Sequence, residues 1–338
     1  MRVSRDETFD YGLAPGERFE PEEEDEEPFD LSRPHVMTAL GPIEPDDLGF
    51  TLPHEHLIRK PLAFGPDDPD LALDDPGRTL AELEDASNLG LCAIVDMTTA
   101  DNGRDVVDLT WVAQRLPVHV ILVTGYHQDR YAAPVLGGAS VDEIAERMIR
   151  ELTDGIDGTT VKAGVIAAGT SMERITPVED RVLRAAARAH LATGAPISTM
   201  TERGTMAVEQ IAILREEGVE PSRVIVGHLD AAIGETYLRR VLATGVFVSL
   251  DRIGHLADRA DAEQASMVRA LIAAGYAGQV LLSGDVGRRS RLKAYGGGPG
   301  WSYLVEEFPI LLMEAGLDAP TVRRLFVDNP SRALTIRR

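Results

Sequence analysis

The chain has 338 residues, 44% of them hydrophobic, which is enough to bury one large core. Its 55 acidic and 34 basic residues give a formal charge of −21, which argues against nucleic acid or an anionic membrane as a partner. The single cysteine, Cys92, excludes an intramolecular disulfide and a cysteine-rich metal site. No apolar run reaches the roughly 18–20 residues of a membrane span, and the N-terminus lacks a signal-peptide pattern, so we expect a cytoplasmic protein.

The first 36 residues differ from the rest of the chain. They contain twelve acidic and four basic residues, a net charge of −8, and the run EPEEEDEEPFD (20–30) has little to bury. We therefore predict a disordered acidic arm over residues 1–36 and a single folded domain over residues 37–338. The alternative is a specific role for the arm, as a lid or a dimer clasp that uses Phe19 and Phe29.

From residue 38 onward, short apolar runs alternate with amphipathic helical patterns. Eight runs have the composition of strands buried on both faces: Gly49–Pro53, Cys92–Thr98, Val118–Thr124, Thr160–Ala167, Pro196–Met200, Val224–His228, Val246–Leu250 and Val280–Ser283. The helical patterns are Thr79–Asn88, Val106–Arg115, Val141–Thr153, Val178–Thr193, Met206–Glu217, Thr236–Thr244, Ala262–Ala274, Phe308–Ala315 and Thr321–Phe326.

This alternation predicts the fold class. Strands that are apolar on both faces indicate a parallel sheet covered by helices, and eight such strands can close as a (β/α)8 TIM barrel. An open doubly wound sheet is the alternative, but no GxGxxG motif follows any predicted strand. We therefore predict an α/β protein with a TIM-barrel domain.

Histidines concentrate at the predicted strand ends, where the active sites of such barrels lie. Four of the eight, His54, His56, His127 and His228, fall at or just past a strand. In the HEH segment, residues i and i+2 of an extended chain point the same way, so His54 and His56 can bind one metal ion. His228 and Asp285 follow the sixth and eighth strands and extend this candidate set. The alternative is a hydrogen-bonded polar plug at the barrel mouth.

A series of motifs accompanies these strands: GFTLPHEHL (49–57), VDMTTADNGRD (95–105), VTGYH (123–127), VKAGVIAAGTS (161–171), RAAARAHLATGAPIST (184–199), EEGVEPSRVIVGHLD (216–230), SLDRIGH (249–255), LLSGD (281–285) and DNPSRAL (328–334). Through them the stretch 49–336 resembles the phosphotriesterase family of the amidohydrolase superfamily, including its lactonases. The resemblance implies a (β/α)8 barrel, often a homodimer, that hydrolyses phosphotriesters, lactones or other carboxylic esters with a metal-activated water.

The resemblance also assigns residues to one or two metals. It implies that His54 and His56 bind the more buried metal, and that Asp285 binds the same metal and takes a proton from the attacking water. His228 matches a ligand of the second metal. A carboxylated lysine or a glutamate after the fourth strand bridges the two metals in the family, and a histidine ends the fifth strand.

Two of those family positions carry other residues here. The bridging position falls on Ala167, or on Ala168 in the register of the glutamate-bearing branch, and neither side chain can coordinate a metal. Met200 stands where the histidine is expected, and its thioether is a poor ligand for zinc or manganese. Without a bridging anion, two divalent ions would repel each other strongly. We therefore predict one divalent metal at a degenerate site, with zinc favoured over manganese, iron or cobalt, or no metal at all.

Other residues are candidates for contact with a small-molecule substrate. Tyr126 and His127 fall where related lactonases place a substrate-facing aromatic, and Met200 and Arg252 match positions at the mouth. Trp301 follows the glycine-rich segment 296–300, in the loop that relatives use as a lid.

Three functions remain open at this point. The first is a hydrolase of a lactone, carboxylic ester or phosphoester that uses one metal, with Asp285 as the base. The second is a metal-free barrel in which the three histidines and Asp285 transfer protons in a dehydration, cyclisation or isomerisation. The third is a non-catalytic protein that binds a small molecule.

Overall fold

The structure is a computed structural model that describes residues 29–62, 68–229, 234–255 and 260–337. Most of the predicted acidic arm therefore lies outside the described residues. Its last residues are already tied to the domain, because His35 forms a backbone bridge with Ile336. In the described part of the chain, no helix is long and apolar enough to cross a membrane.

A short antiparallel hairpin covers the end of the barrel at which the strands begin. β1 (Val36–Thr38) and β2 (Gly41–Ile43) pair with each other, and the N–H of Ala39 donates to the carbonyl of Val120. Val36 is fully buried and packs in the same cluster as the side chains of the barrel interior. The sequence analysis had placed no element in this segment.

Eight parallel strands form the barrel and confirm the predicted fold. They are β3 (Thr51–Glu55), β4 (Ala93–Asp96), β5 (His119–Tyr126), β6 (Val165–Thr170), β7 (Ile197–Thr201), β8 (Val224–Gly227), β9 (Phe247–Leu250) and β10 (Val280–Leu282). Each strand pairs with the next in chain order. The seam between β3 and β10 is held by Ser283, whose hydroxyl oxygen accepts from the N–H of His54 at 3.0 Å.

Helices cover the barrel between the strands. They are α1 (Pro76–Asn88), α2 (Val106–Ala113), α3 (Asp129–Leu136), α4 (Val141–Thr153), α5 (Pro177–Thr193), α6 (Ala207–Glu216), α7 (Glu235–Leu242), α8 (Asp261–Leu271), α9 (Trp301–Glu314), α10 (Ala319–Arg323) and α11 (Asn329–Leu334). Capping boxes begin α4 at Ser140 and α5 at Thr176. The sequence analysis missed α3, α11 and the first half of α9.

The fourth predicted strand, Thr160–Ala167, is displaced along the chain, because β6 occupies residues 165–170. The segment before β6 uses its peptide groups elsewhere. The N–H of Ala163 donates to the carbonyl of Glu151 in α4, and the carbonyl of Val161 accepts from the N–H of Ile156. These bonds hold the segment against the end of α4, so the strand begins later than its apolar composition suggests.

Side chains alternate between the barrel interior and the layer under the helices, as the two-residue period of a strand requires. The interior cluster includes Ala93, Val95, Ile121, Val123, Val165, Ala167, Ile225, Phe247 and Leu281. Apolar packing thus fills the barrel below its C-terminal mouth, and the polar residues that follow the strands gather above it.

Candidate metal centre and active site

Three histidines and one aspartate meet at the C-terminal mouth of the barrel. His54 lies in β3, His56 follows it, His228 follows β8 and Asp285 lies three residues after β10. Oδ1 of Asp285 lies 3.4 Å from Nε2 of His56 and 4.0 Å from Nε2 of His54, and its Oδ2 lies 3.7 Å from Nε2 of His228. The carboxylate of Asp285 is therefore the point on which the three rings converge.

Two of these residues have an unusual backbone conformation. His228 and Asp285 have φ angles of 59° and 45°, in the left-handed region that costs a non-glycine residue on the order of 1 kcal/mol. Hydrogen bonds stabilise both turns: the N–H of His228 donates to Asp251, and the N–H of Asp285 donates to the carbonyl of His54. The chain thus turns sharply at the strand ends and directs both side chains into the mouth.

Asp251, the residue after β9, holds two of the rings from below. Its Oδ1 lies 2.8 Å from Nδ1 of His228, and its Oδ2 lies 3.1 Å from Nδ1 of His54. A Cβ atom at Gly227 would lie 2.5 Å from Oδ2 of Asp251, so the close approach requires glycine there. Since Asp251 faces both Nδ1 atoms, the Nε2 atoms of His54 and His228 point towards Asp285.

The charges of the site are strongly coupled. Burial opposes ionisation of Asp285, but the nearby His228, His56 and His54 hold the pKa of its carboxyl well below the ordinary value. Burial likewise opposes the charge on His228, yet Asp251 and Asp285 raise its pKa to about 9. Burial lowers the pKa of His56, and its Nδ1 lies 2.7 Å from Oγ1 of Thr98. In the metal-free protein at neutral pH, a carboxylate therefore stands beside an imidazolium.

The mouth is apolar on the side formed by β6 and β7. Ala167 packs in the interior cluster, whereas Ala168 packs in the outer layer. The next inward position is Gly169, opposite Met200 in the strand register, and a Cβ atom there would lie 3.0 Å from Cε of Met200. Neither strand therefore supplies a bridging ligand or a histidine at this level.

The polar side suits one metal ion better than two. Two sets of ligand atoms lie within 4.8 Å of one another, His54 with His56 and Asp285, and His54 with His228 and Asp251. In the second set, the Nδ1 atoms already face the carboxylate of Asp251. The first set offers two Nε2 atoms and a carboxylate, the usual ligands of a catalytic zinc. The residues present therefore fit a mononuclear site on His54, His56 and Asp285.

Arg252, Met200 and His127 also lie around the mouth, as predicted from their positions. Nη1 of Arg252 lies 2.9 Å from Oδ2 of Asp285, so Arg252 pairs with the candidate base. Burial, together with nearby cations, holds the pKa of His127 well below its ordinary value, so the ring is neutral. Both carboxylate oxygens of Asp101 accept from the backbone N–H of His127.

The structure does not bring Tyr126 to the mouth. On β5 the inward position is Gly125, where a Cβ atom would lie 2.0 Å from the carbonyl oxygen of Ala167. Tyr126 therefore points outwards into the layer under the helices, where it is buried. Burial raises the pKa of its hydroxyl, although the nearby Arg147 of α4 opposes the shift. This position corrects the expectation that Tyr126 faces the substrate.

Trp301 is likewise a core residue rather than part of a lid. It begins α9 and is fully buried. Its indole N–H donates to Oε2 of Glu55 at 3.1 Å. The preceding glycine-rich segment folds back on the residues before it, because the N–H of Gly300 donates to the carbonyl of Arg291. The side chain of Trp301, which follows these glycines, is therefore buried below the barrel mouth.

Among the described residues, Glu55 and Arg59 are buried near the site and were not singled out by the sequence analysis. Glu55, the middle residue of HEH, faces away from the histidines and is fully buried. Arg59 lies just beyond β3, where its guanidinium contacts the side-chain oxygen of Asn102. Burial lowers the pKa of Arg59, although Tyr131 and Asp285 oppose the shift. The only local signal for either residue was its closeness to the HEH motif.

Comparison with known proteins gives a consistent family. The model of the phosphotriesterase family matches residues 34–334. The crystal structure of a lactonase from Listeria monocytogenes is similar with a TM-score of 0.86 and 33% identity, over 90% of this chain and 100% of the other. The phosphotriesterase homology protein from Escherichia coli, solved with phosphate in its active site, has a TM-score of 0.82 and 38% identity, over 86% and 99% of the chains. An N-acetyltaurine hydrolase from Danio rerio is 30% identical over 90% of this chain and 99% of its own length.

Proposed function

Because the chain belongs to the phosphotriesterase family, we propose that it hydrolyses a lactone, carboxylic ester or phosphoester with the help of one divalent metal ion, zinc being the first choice. The observation that carries the proposal is the convergence of His54, His56 and Asp285. The side of the mouth formed by β6 and β7 offers no bridging ligand or histidine for a second metal. A metal held by these three residues would acidify a water molecule and polarise the bond to be cleaved.

The surrounding residues define what the protein itself contributes. Asp285 is ionised and accessible from the mouth, so its carboxylate can accept the proton of the attacking water. Arg252 and His228 both lie beside Oδ2 of Asp285. These cationic groups orient the carboxylate and can stabilise the negative charge that develops on the attacked group.

The electrostatics favour an anionic substrate, despite the charge of −21 on the whole chain. Arg59 and Arg252 lie close to Asp285, and Arg288 lies close enough to Arg59 to lower its pKa further. Arginine recognises carboxylate, phosphate and sulfonate groups through paired hydrogen bonds. The phosphate in the Escherichia coli relative and the taurine moiety named for the fish relative are anions of this kind. We propose that the substrate carries such a group next to the scissile bond.

A metal-free acid–base enzyme is the second candidate. It is favoured by the bonds of His228, whose Nδ1 is held by Asp251 while Nε2 lies 3.7 Å from Asp285. That arrangement is a proton-transfer pair without any metal. A dehydration, cyclisation or isomerisation would then replace hydrolysis.

Elemental mass spectrometry of protein purified without chelator separates these candidates. We expect about one equivalent of metal that is lost in His54→Ala and retained in His119→Ala, a matched control at the opposite end of the barrel. A panel of anionic lactones and esters, with neutral counterparts, is then assayed with and without chelator. Turnover without metal would establish the second candidate, and an absence of turnover with all substrates would indicate a binding protein.

A further inference from the structure

The carboxylate of Glu55 lies behind the site, on the face of β3 opposite to His54 and His56. It is fully buried and accepts four hydrogen bonds. The hydroxyl of Ser283 and the N–H of Gly284 donate to Oε1, both at 2.6 Å. The N–H of Val286, at 2.8 Å, and the indole of Trp301, at 3.1 Å, donate to Oε2. Both oxygens are therefore saturated by donors.

Two of these four donors are the residues directly before and after Asp285 in the sequence. Gly284 and Val286 are its two neighbours, and both give their backbone N–H to Glu55. Asp285 gives its own N–H to the carbonyl of His54 and has a φ angle of 45°. A strained residue keeps its conformation only where its surroundings impose it. Glu55 binds the residue on either side of this strained position.

The packing around this turn leaves little freedom. A Cβ atom at Gly284 would lie 2.7 Å from Leu304 and 3.3 Å from Oε1 of Glu55. The carbonyl of Gly284 lies 2.7 Å from Nε2 of His255. The turn is thus wrapped around the carboxylate, as a nest of donors is wrapped around an anion.

We infer that Glu55 is a positioning residue that fixes the carboxylate of Asp285 relative to the two histidines that flank Glu55 in sequence. Glu55 lies on the strand of two ligands and binds the turn that carries the third. It therefore sets the distance between them without touching metal or substrate. A test of this inference by zinc affinity rests on the proposed function. A test by the stability of the turn around Asp285 does not.

Glu55→Gln is the direct test, because it keeps the shape but replaces one acceptor oxygen with an amide donor. Glu179→Gln is the matched control: Glu179 is also fully buried and accepts from Asp129, Ser171 and Thr176, on another side of the mouth. Amide hydrogen exchange is measured by NMR, residue by residue. At Gly284 and Val286 it should be at least tenfold faster in Glu55→Gln than in wild type, and unchanged in Glu179→Gln.

Zinc titration of the same proteins gives the second readout. We expect the zinc affinity of Glu55→Gln to fall between tenfold and a hundredfold, as for other residues that support metal ligands, and that of Glu179→Gln to stay within twofold of wild type. Unchanged exchange at Gly284 and Val286 would overturn the inference. Faster exchange with unchanged zinc affinity would also overturn it, because Glu55 would then be structural only.

Two further measurements keep the test decisive. If wild type binds no zinc, the proposed metal function fails, and a crystal structure of Glu55→Gln decides the inference. A shift of the Asp285 carboxylate of about 1 Å or more from His56 supports it, and an unmoved carboxylate overturns it. If Glu55→Gln does not fold, Trp301→Phe removes one donor to Oε2 and should show the same changes at a smaller size.

Discussion

The two sides of the barrel mouth differ sharply in chemistry. On one side, the ends of β3, β8 and β10 bring three histidines and Asp285 together, and a layer of carboxylates supports them from behind. On the other side, β6 and β7 present Ala167, Gly169 and Met200. The comparison indicates that the candidate metal ligands and the hydrogen bonds that support them lie on the same side of the mouth. The candidate ligands of the proposed metal therefore all lie on the polar side.

The largest effect is expected from removing the centre of the polar side. Asp285→Asn should lower kcat/KM by about 10³-fold, because it removes the proposed proton acceptor and a proposed metal ligand at once. Steady-state kinetics with the substrate from the panel measure this loss. Asp180→Asn, in an ion pair on the surface of α5, should be within twofold of wild type. A loss of less than tenfold in Asp285→Asn would mean that another group is the base.

The apolar side can be converted to resemble the polar one. The double substitution Ala167→Glu with Met200→His introduces a bridging carboxylate and an imidazole, so metal content should rise from one to two equivalents. Elemental analysis after dialysis against zinc measures the change, and the two single variants should stay at one equivalent. If the double variant also holds a single equivalent, the apolar side is not what limits the site to one metal.

The free energy of unfolding should depend on pH through His255, which lies beside the polar side of the mouth. Burial and the charge of Arg252 lower the pKa of His255 to about 4, whereas the unfolded chain titrates near pH 6.5. Below pH 6.5 the unfolded state binds the extra proton, so the free energy of unfolding falls as the pH drops towards 4. Between pH 7 and pH 5, wild type should lose about 2 kcal/mol more than His255→Gln. Urea unfolding at both values measures this difference, and equal losses would contradict the shift.

The smallest effect is expected on the apolar side. Met200→Leu conserves volume and removes no ligand of the proposed set, so it should cost less than about 1.5 kcal/mol. Zinc affinity should remain within twofold of wild type. A loss of zinc affinity similar to that of His54→Ala would show that the thioether is a ligand after all.

The sequence predicted the barrel and the four polar residues that the structure brings together at its mouth, but not the residues that support them. Buried strands are recognisable locally, and His54, His56, His228 and Asp285 follow from their positions at strand ends. Glu55 could not be assigned, because its donors lie more than 220 residues away along the chain.

Two errors have a local physical origin. Tyr126 was predicted at the mouth, but β5 continues to Tyr126 and the alternation of side chains turns its ring outwards. Trp301 was predicted in a mobile lid, but it begins α9, whose first half was missed because it follows glycines directly. Both residues were assigned from positions in related proteins, although the direction of the side chain decides the contact.

The seam between β3 and β10 has a consequence for how the chain acquires activity. Ser283 and His54 are 229 residues apart in sequence, and contacts of such long range carry a high cost in chain entropy, so they form late in folding. The same seam holds the three proposed ligands. In refolding experiments, helical signal should therefore recover before zinc affinity, and recovery of zinc binding reports that the ring of strands has closed.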